Sequence, residues 1–162
     1  AVILDVDPNN NPEVTRGADR AVAPFRFAGG PTRRCRQLDA GPFGIESEAD
    51  VEAVVPLLVE RVGAEPADAR VIARCADPGL TECRAATAAP ILGIRESAVA
   101  TVLTRTERFG VAAVLESVVP RHLRVLARIG VLDRSVAARA RLFDHLCRDD
   151  RVVRSAYRAG MP

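Results

Sequence analysis

Three short stretches of the chain collect residue types able to hold a small polar molecule or to move a proton. The first, Asp7-Pro8-Asn9-Asn10-Asn11, is a run of carboxylate and amide side chains that favours a turn. The second, Gly41-Pro42-Phe43-Gly44-Ile45-Glu46-Ser47, is a loop bracketed by glycine and proline. The third, Ile72-Ala73-Arg74-Cys75-Ala76-Asp77-Pro78-Gly79-Leu80, places a guanidinium, a thiol and a carboxylate almost side by side. A thiol with an ordinary pKa of about 8.5 can be tuned to give or take a proton near neutrality. An arginine stays protonated and has no lone pair, so it binds anions and removes no proton. Asp77, before Pro78, reads first as the cap of a helix starting there, a role worth about 1 kcal/mol. A pocket at that helix N-terminus could also hold a carboxylate or an enolate.

The other reactive side chains carry less. Cys35, Cys75, Cys83 and Cys147 form no C-x-x-C pair and have no paired histidines at ligand spacing, so no metal is expected. Cys35, Cys83 and Cys147 read as small packed side chains, kept as thiols. His122 opens a helix after Pro120 and reads as solvated, and Glu46 is a minor site candidate beside the cap residue Ser47. Arg33, Arg34 and Arg36, and separately Arg121, Arg124 and Arg128, could meet phosphates. Yet all 23 basic residues are arginine, the net charge is only +2, and there is one Tyr and no Trp to stack on bases. Solvated faces and no nucleic-acid partner are therefore the expectation.

The elements that must position the three stretches can be read from hydrophobic patterning. Val2 to Val6 is a buried strand running into the first stretch, and Glu13 to Ala23 can be a helix. Arg34 to Leu38 alternates like an edge strand. Ser47 and Asp50 have capping-box spacing, and Val51, Val54, Val55, Leu58, Val59 and Val62 recur at helical intervals up to Gly63. Ala69 to Ala73 is the next strand, with a helix from Asp77. Pro90 to Ile94 and Gly110 to Leu115 are further strands, followed by helices over Glu96 to Thr104 and Pro120 to Ile129. Val136 to Cys147 reads as a helix and Arg151 to Arg154 as the start of a strand. Such alternation predicts an α/β fold with mostly parallel sheets, its ligand held outside the carboxyl ends of the strands. At 162 residues, 48% hydrophobic and 27% charged, the chain falls in the globular range. No window reaches the roughly 18 apolar residues of a membrane span, and the opening lacks the basic flank of a secretory signal. A soluble, cytoplasmic protein with no membrane partner is expected.

Taken in order, the three stretches resemble the Asp/Glu/hydantoin racemase superfamily, and its hydantoin racemase branch in particular. Asp7 to Asn11 is similar to that branch's N-P-N-T/S turn, and Gly41 to Ser47 to its G-P-x-S-I-E-S segment. Ile72 to Leu80 is similar to I-A-C-F-x-D-P-G-L, and Pro90-Ile91-Leu92-Gly93-Ile94 with Glu96-Ser97-Ala98 to P-V-x-G-I-x-E-A. Phe109-Gly110-Val111 and Pro120 to Arg124 continue the likeness. The resemblance implies two Rossmann-like lobes related by a pseudo-twofold, with the active site between them: residues 1–94 and 95–162, the second lobe incomplete. It implies a cofactor-free racemisation of a small amino-acid derivative such as a hydantoin, by two cysteines on opposite faces of the reacting carbon. Pro8, Asn9, Ile45, Ser47 and Asp77 would shape the pocket. The oligomeric state, a homo-oligomer included, stays open.

Several positions depart from the family pattern. Arg74 stands where the family carries its first cysteine, with Cys75 one residue on, at a position whose side chain should face the other way. The end of the chain, Ala156-Tyr157-Arg158-Ala159-Gly160-Met161-Pro162, is similar to the second-cysteine motif G-C-A-G-M, with Arg158 at the cysteine. Asp7 replaces an asparagine and Gly44 a serine. Two readings compete: a racemase, Arg74 and Arg158 marking the thiol positions with Cys75 a substitute thiol, which keeps its fold and pocket with or without turnover; and a non-catalytic module on the same fold that binds a small anionic ligand.

Overall fold

The computed structural model describes residues 1–113 and 116–139. The chain divides within a helix into two compact units, Ala1–Thr101 and Val102–Pro162.

The first unit is built on a four-stranded parallel sheet of β1 (Val2–Asp7), β2 (Thr32–Gln37), β3 (Ala69–Ile72) and β4 (Ile91–Gly93), in the order β2-β1-β3-β4. The connecting helices are α1 (Pro12–Val22), α2 (Glu48–Ala64) and α3 (Leu80–Ala86), and α4 (Ile94–Leu103) leaves β4 directly. Alternation along β1 sets the layers. Leu4 and Val6 point to one face, where they join Ile72 and Ile91 under Val54, Leu58 and Val62 of α2 and Leu80 and Cys83 of α3. Asp5 and Asp7 point to the other face, the one that α1 covers: the Thr15 hydroxyl of α1 donates to Asp7. The same face carries an ion pair of Asp5 with Arg33 on β2.

The helices start and stop where local chemistry directs. Asn11 caps α1 through Glu13 N, with Pro12 in the first turn. Ser47 and Asp50 form the expected capping box on α2. The helix expected from Asp77 begins later, at Leu80, because Asp77 and Gly79 both take left-handed backbone angles (φ 46° and 61°) that no helix can include.

The second unit contains β5 (Phe109–Ala112), α5 (Val119–Arg128) and β6 (Ser135–Arg139), with β5 and β6 parallel. Arg134 donates to the carbonyls of Glu107 (2.7 Å) and Thr106 (2.8 Å), which anchors the entry to β5 beside that to β6. Residues 136–139 were expected to open a helix and instead belong to β6, where Ala137, Ala138 and Arg139 pair with β5 and Val136 falls at a shift of register. Alanine and arginine favour helix locally, and the ladder overrides that preference. The remainder of that expected helix and the strand at Arg151 to Arg154 lie outside the described residues, as does the end of the strand expected to reach Leu115.

Candidate functional site

The strand order places a reversal at β1. The chain steps to one side to make β2 and returns to the other to make β3, and open α/β sheets hold their ligands in the crevice beyond the carboxyl ends of the strands at such a reversal, here β1 and β3. Val6 pairs with Ile72, and Ala73 N donates to Val6 O at 2.8 Å, so Asp7 and Arg74 leave the sheet next to each other.

Backbone hydrogen bonds then bring all three stretches to this crevice. Leu38 N donates to the carbonyls of Asp7 (3.0 Å) and Asn9 (3.3 Å), and Asn10 N donates to Pro42 O (3.0 Å). Position 41 must be glycine, since a Cβ there would lie 2.4 Å from Pro8 O. From the third stretch, Arg74 Nη2 donates to Ile45 O at 2.9 Å. Pro8, Asn9 and Ile45 are buried and Arg74 is half-buried, so these four residues and Asp7 form one cluster.

Two groups in the cluster are chemically unusual. The Asp7 carboxylate is 1% exposed, and burial raises its pKa above the ordinary value. Hydrogen bonds from Asn9 N (3.1 Å) and Thr15 Oγ1 (2.8 Å), and the charge of Arg74, act in the opposite direction. Asn9 is equally buried, and its Oδ1 has no hydrogen-bond donor among the described residues. Leaving such an acceptor unpaired costs about 1–3 kcal/mol, which a ligand N–H or O–H could recover.

The other sequence candidates of the first unit make different contacts. Cys75 is exposed. Ser47 is an exposed cap, its Oγ accepting from Asp50 N at 3.1 Å. Asp77 is buried and caps a helix, but the helix is α4: it accepts from Arg95 N (3.0 Å) and Glu96 N (2.8 Å). Burial raises the Asp77 pKa, with these two bonds acting against it. Gly93 makes room for that carboxyl, since a Cβ would fall 2.4 Å from it. Burial also pushes the Cys35 and Cys83 thiols up, to about 12 and about 11. His122, Arg121, Arg124 and Arg128 belong to α5 in the second unit, and Arg158 and Cys147 lie outside the described residues. Among the described residues no three His, Cys, Asp or Glu side chains gather as a metal site, and no helix is long and apolar enough to cross a membrane. Sequence reasoning missed Thr15, whose signal was its helical position one turn after the Asn11 cap.

Comparison with known proteins adds an independent line. The model of the family "Asp/Glu/Hydantoin racemase" matches residues 3–159. A hydantoin racemase of Pseudomonas sp. (strain NS671) is 34% identical over 118 residues, which take in 68% of this chain and 45% of that protein. A hydantoin racemase of Rhizobium meliloti is 30% identical over 118 residues, 71% of this chain and 48% of that protein. The chain thus spans about half the length of the curated relatives it matches. Among solved structures, allantoin racemase from Klebsiella pneumoniae is similar in fold, with a TM-score of 0.79 at 24% identity over 97% of this chain and 69% of that one. Allantoin racemase from Pseudomonas fluorescens has the same TM-score at 20% identity, covering 91% of this chain and 65% of that one.

Proposed function

This chain belongs to the Asp/Glu/hydantoin racemase family, and from that premise we propose that the β1–β3 crevice binds a hydantoin or related amino-acid derivative in a cytoplasmic, cofactor-independent racemase-type site. The observation that carries this reading is that hydrogen bonds join the three stretches around buried Asn9, whose Oδ1 has no hydrogen-bond donor among the described residues. A cyclic ureide presents N–H donors beside carbonyl oxygens, which is the complement of an amide acceptor next to a guanidinium.

Racemisation at a carbon next to a carbonyl needs one group to remove the proton and another to return it on the opposite face. Charge builds on the carbonyl oxygen meanwhile, and a fixed N–H donor such as Arg74 stabilises it. Arg74 cannot itself take the proton. Cys75, one residue further, is exposed, and the Asp7 oxygens are both engaged by the protein. We therefore read this chain as one that keeps the pocket while lacking two-thiol proton exchange, with Arg74 and Arg158 at the two thiol positions.

The test follows the optical rotation of an enantiopure hydantoin, and of aspartate, with the unaltered chain, with each single change and with Arg74→Cys/Arg158→Cys. Rotation should decay only with the double variant. Decay at a comparable rate with the unaltered chain would refute the assignment of the two arginines. The competing reading, a non-catalytic module for anionic ligands, is favoured by the half-buried guanidinium of Arg74. It predicts thermal stabilisation by dicarboxylates and none by hydantoin.

A further inference from the structure

Two departures from the family pattern, Asp7 and Arg74, carry opposite charges and arrive at the same place. Val6 and Ile72 are register partners, and the pairing extends through Ala73 N to Val6 O, so the residues that follow leave adjacent strands side by side. Neither charge is free to move. The Asp7 oxygens are held by Asn9 N and Thr15 Oγ1, and Arg74 Nη2 is held by Ile45 O. Among the described residues no direct ion pair joins them, yet the charge of Arg74 acts on Asp7, so the two are near enough to influence the same ligand. Asp7 is 1% exposed, where water screens its charge poorly.

We propose that Asp7 sets the charge class of the ligand: by balancing Arg74 at the β1–β3 crevice it makes the pocket accept an uncharged molecule with an N–H donor and reject carboxylate anions. This rests on the crevice being the ligand site, as above. An anion approaching Arg74 gains that attraction and meets the fixed repulsion of Asp7, so the two largely cancel. An uncharged ureide feels neither strongly and supplies the hydrogen that Asn9 Oδ1 lacks. Asp7 is thereby a specificity residue and not a base, since a carboxylate with both oxygens engaged and almost no exposure cannot reach a substrate proton.

The test is isothermal titration of the full chain with hydantoin and with succinate, read as the ratio of their affinities. The unaltered chain should favour hydantoin. Asp7→Asn, which keeps the shape and removes the charge, should shift the ratio toward succinate by about tenfold or more, the order expected when a unit charge is removed from a partly screened site. Adding Arg74→Gln to that variant should cancel the shift. Arg74→Gln alone, in which the Asp7 hydrogen bonds are untouched, should move the ratio further toward hydantoin, and it reports even if Asp7→Asn does not fold. If hydantoin binds and neither single variant moves the ratio, Asp7 has no such role while the site reading stands. If neither compound binds any form, the site reading fails and the role of Asp7 fails with it. Succinate binding the unaltered chain as tightly as hydantoin would overturn the assignment of Asp7 at once.

Discussion

Replacing Asp77 tests the most specific long-range contact in the first unit. Its carboxylate accepts two of the N–H groups that open α4, from Arg95 at 3.0 Å and Glu96 at 2.8 Å, across 18 and 19 residues of sequence. A hydrogen bond to a charged group contributes about 1.5–3 kcal/mol, and losing a helix cap typically costs about 1 kcal/mol and up to about 2. The two bonds share one buried carboxylate whose desolvation offsets part of their worth, which brings Asp77→Ala to about 2 kcal/mol. Alanine at the positive φ of this position (46°) adds about 1 kcal/mol more. The sum of about 3 kcal/mol corresponds to a drop in Tm of about 6–12 °C for a chain of this length. Asp77→Asn keeps one acceptor and tolerates the backbone angle, so it should lose about 1 kcal/mol. Urea unfolding gives the magnitudes, and amide exchange gives the location: Arg95 and Glu96 should exchange faster in the alanine variant. A loss under about 1 kcal/mol, or faster exchange in α3 with Arg95 and Glu96 unchanged, would refute the assignment of Asp77 to α4.

Gly41→Ala should be costly, about 3 kcal/mol by urea unfolding, because its Cβ would meet the Pro8 and Leu38 carbonyls at 2.4 and 3.0 Å and the backbone must shift. Gly44→Ala on the same loop meets only the Glu46 side chain, at 3.7 Å, and should stay within about 1 kcal/mol. The raised pKa values of Asp7 and Asp77 fix the sign of a pH effect. The folded chain binds these protons more tightly than the unfolded chain. Their contribution to stability therefore rises as pH falls through the raised values toward the ordinary value of 3.8. Unfolding measured from about pH 7 to about pH 4 should show the stability gap between the unaltered chain and Asp77→Asn widening on acidification; a narrowing gap would contradict the direction of the shift.

What the sequence made legible was what depends on near neighbours. The Ser47–Asp50 capping box and the helical repeat from Val51 to Val62 involve contacts a few residues apart, the strand at Val2 shows in the local apolar run even though its partners are distant, and all were found where expected. The three stretches were legible as a group through the family resemblance, and the β2-β1-β3-β4 order supplies the reason they meet. Asp77 was misplaced because Asp-Pro-Gly is a sound local start signal, whereas its partners lie a whole strand away on α4. Residues 136–139 were misread because pairing with β5, more than 20 residues earlier, outweighs the helix preference of alanine and arginine. The Asp5–Arg33 pair and the bond from Arg74 to Ile45 O, which span 28 and 29 residues, left no trace in any window of the sequence.

The central position of β1 also constrains how the first unit is made. β1 precedes both its partners, and its register with β3 joins Ile3 to Ala69. At a synthesis rate of roughly 5–20 residues per second, several seconds pass before that partner exists. Through that interval Leu4 and Val6 have only the arginine-rich β2 to pair with, and for most of it no α2 to cover them, since that helix is not complete until Ala64. The earliest part of this sheet to be translated is thus among the last to be sheltered, and a nascent chain stalled before Ala69 would present an adhesive strand to chaperones or to other unfinished copies.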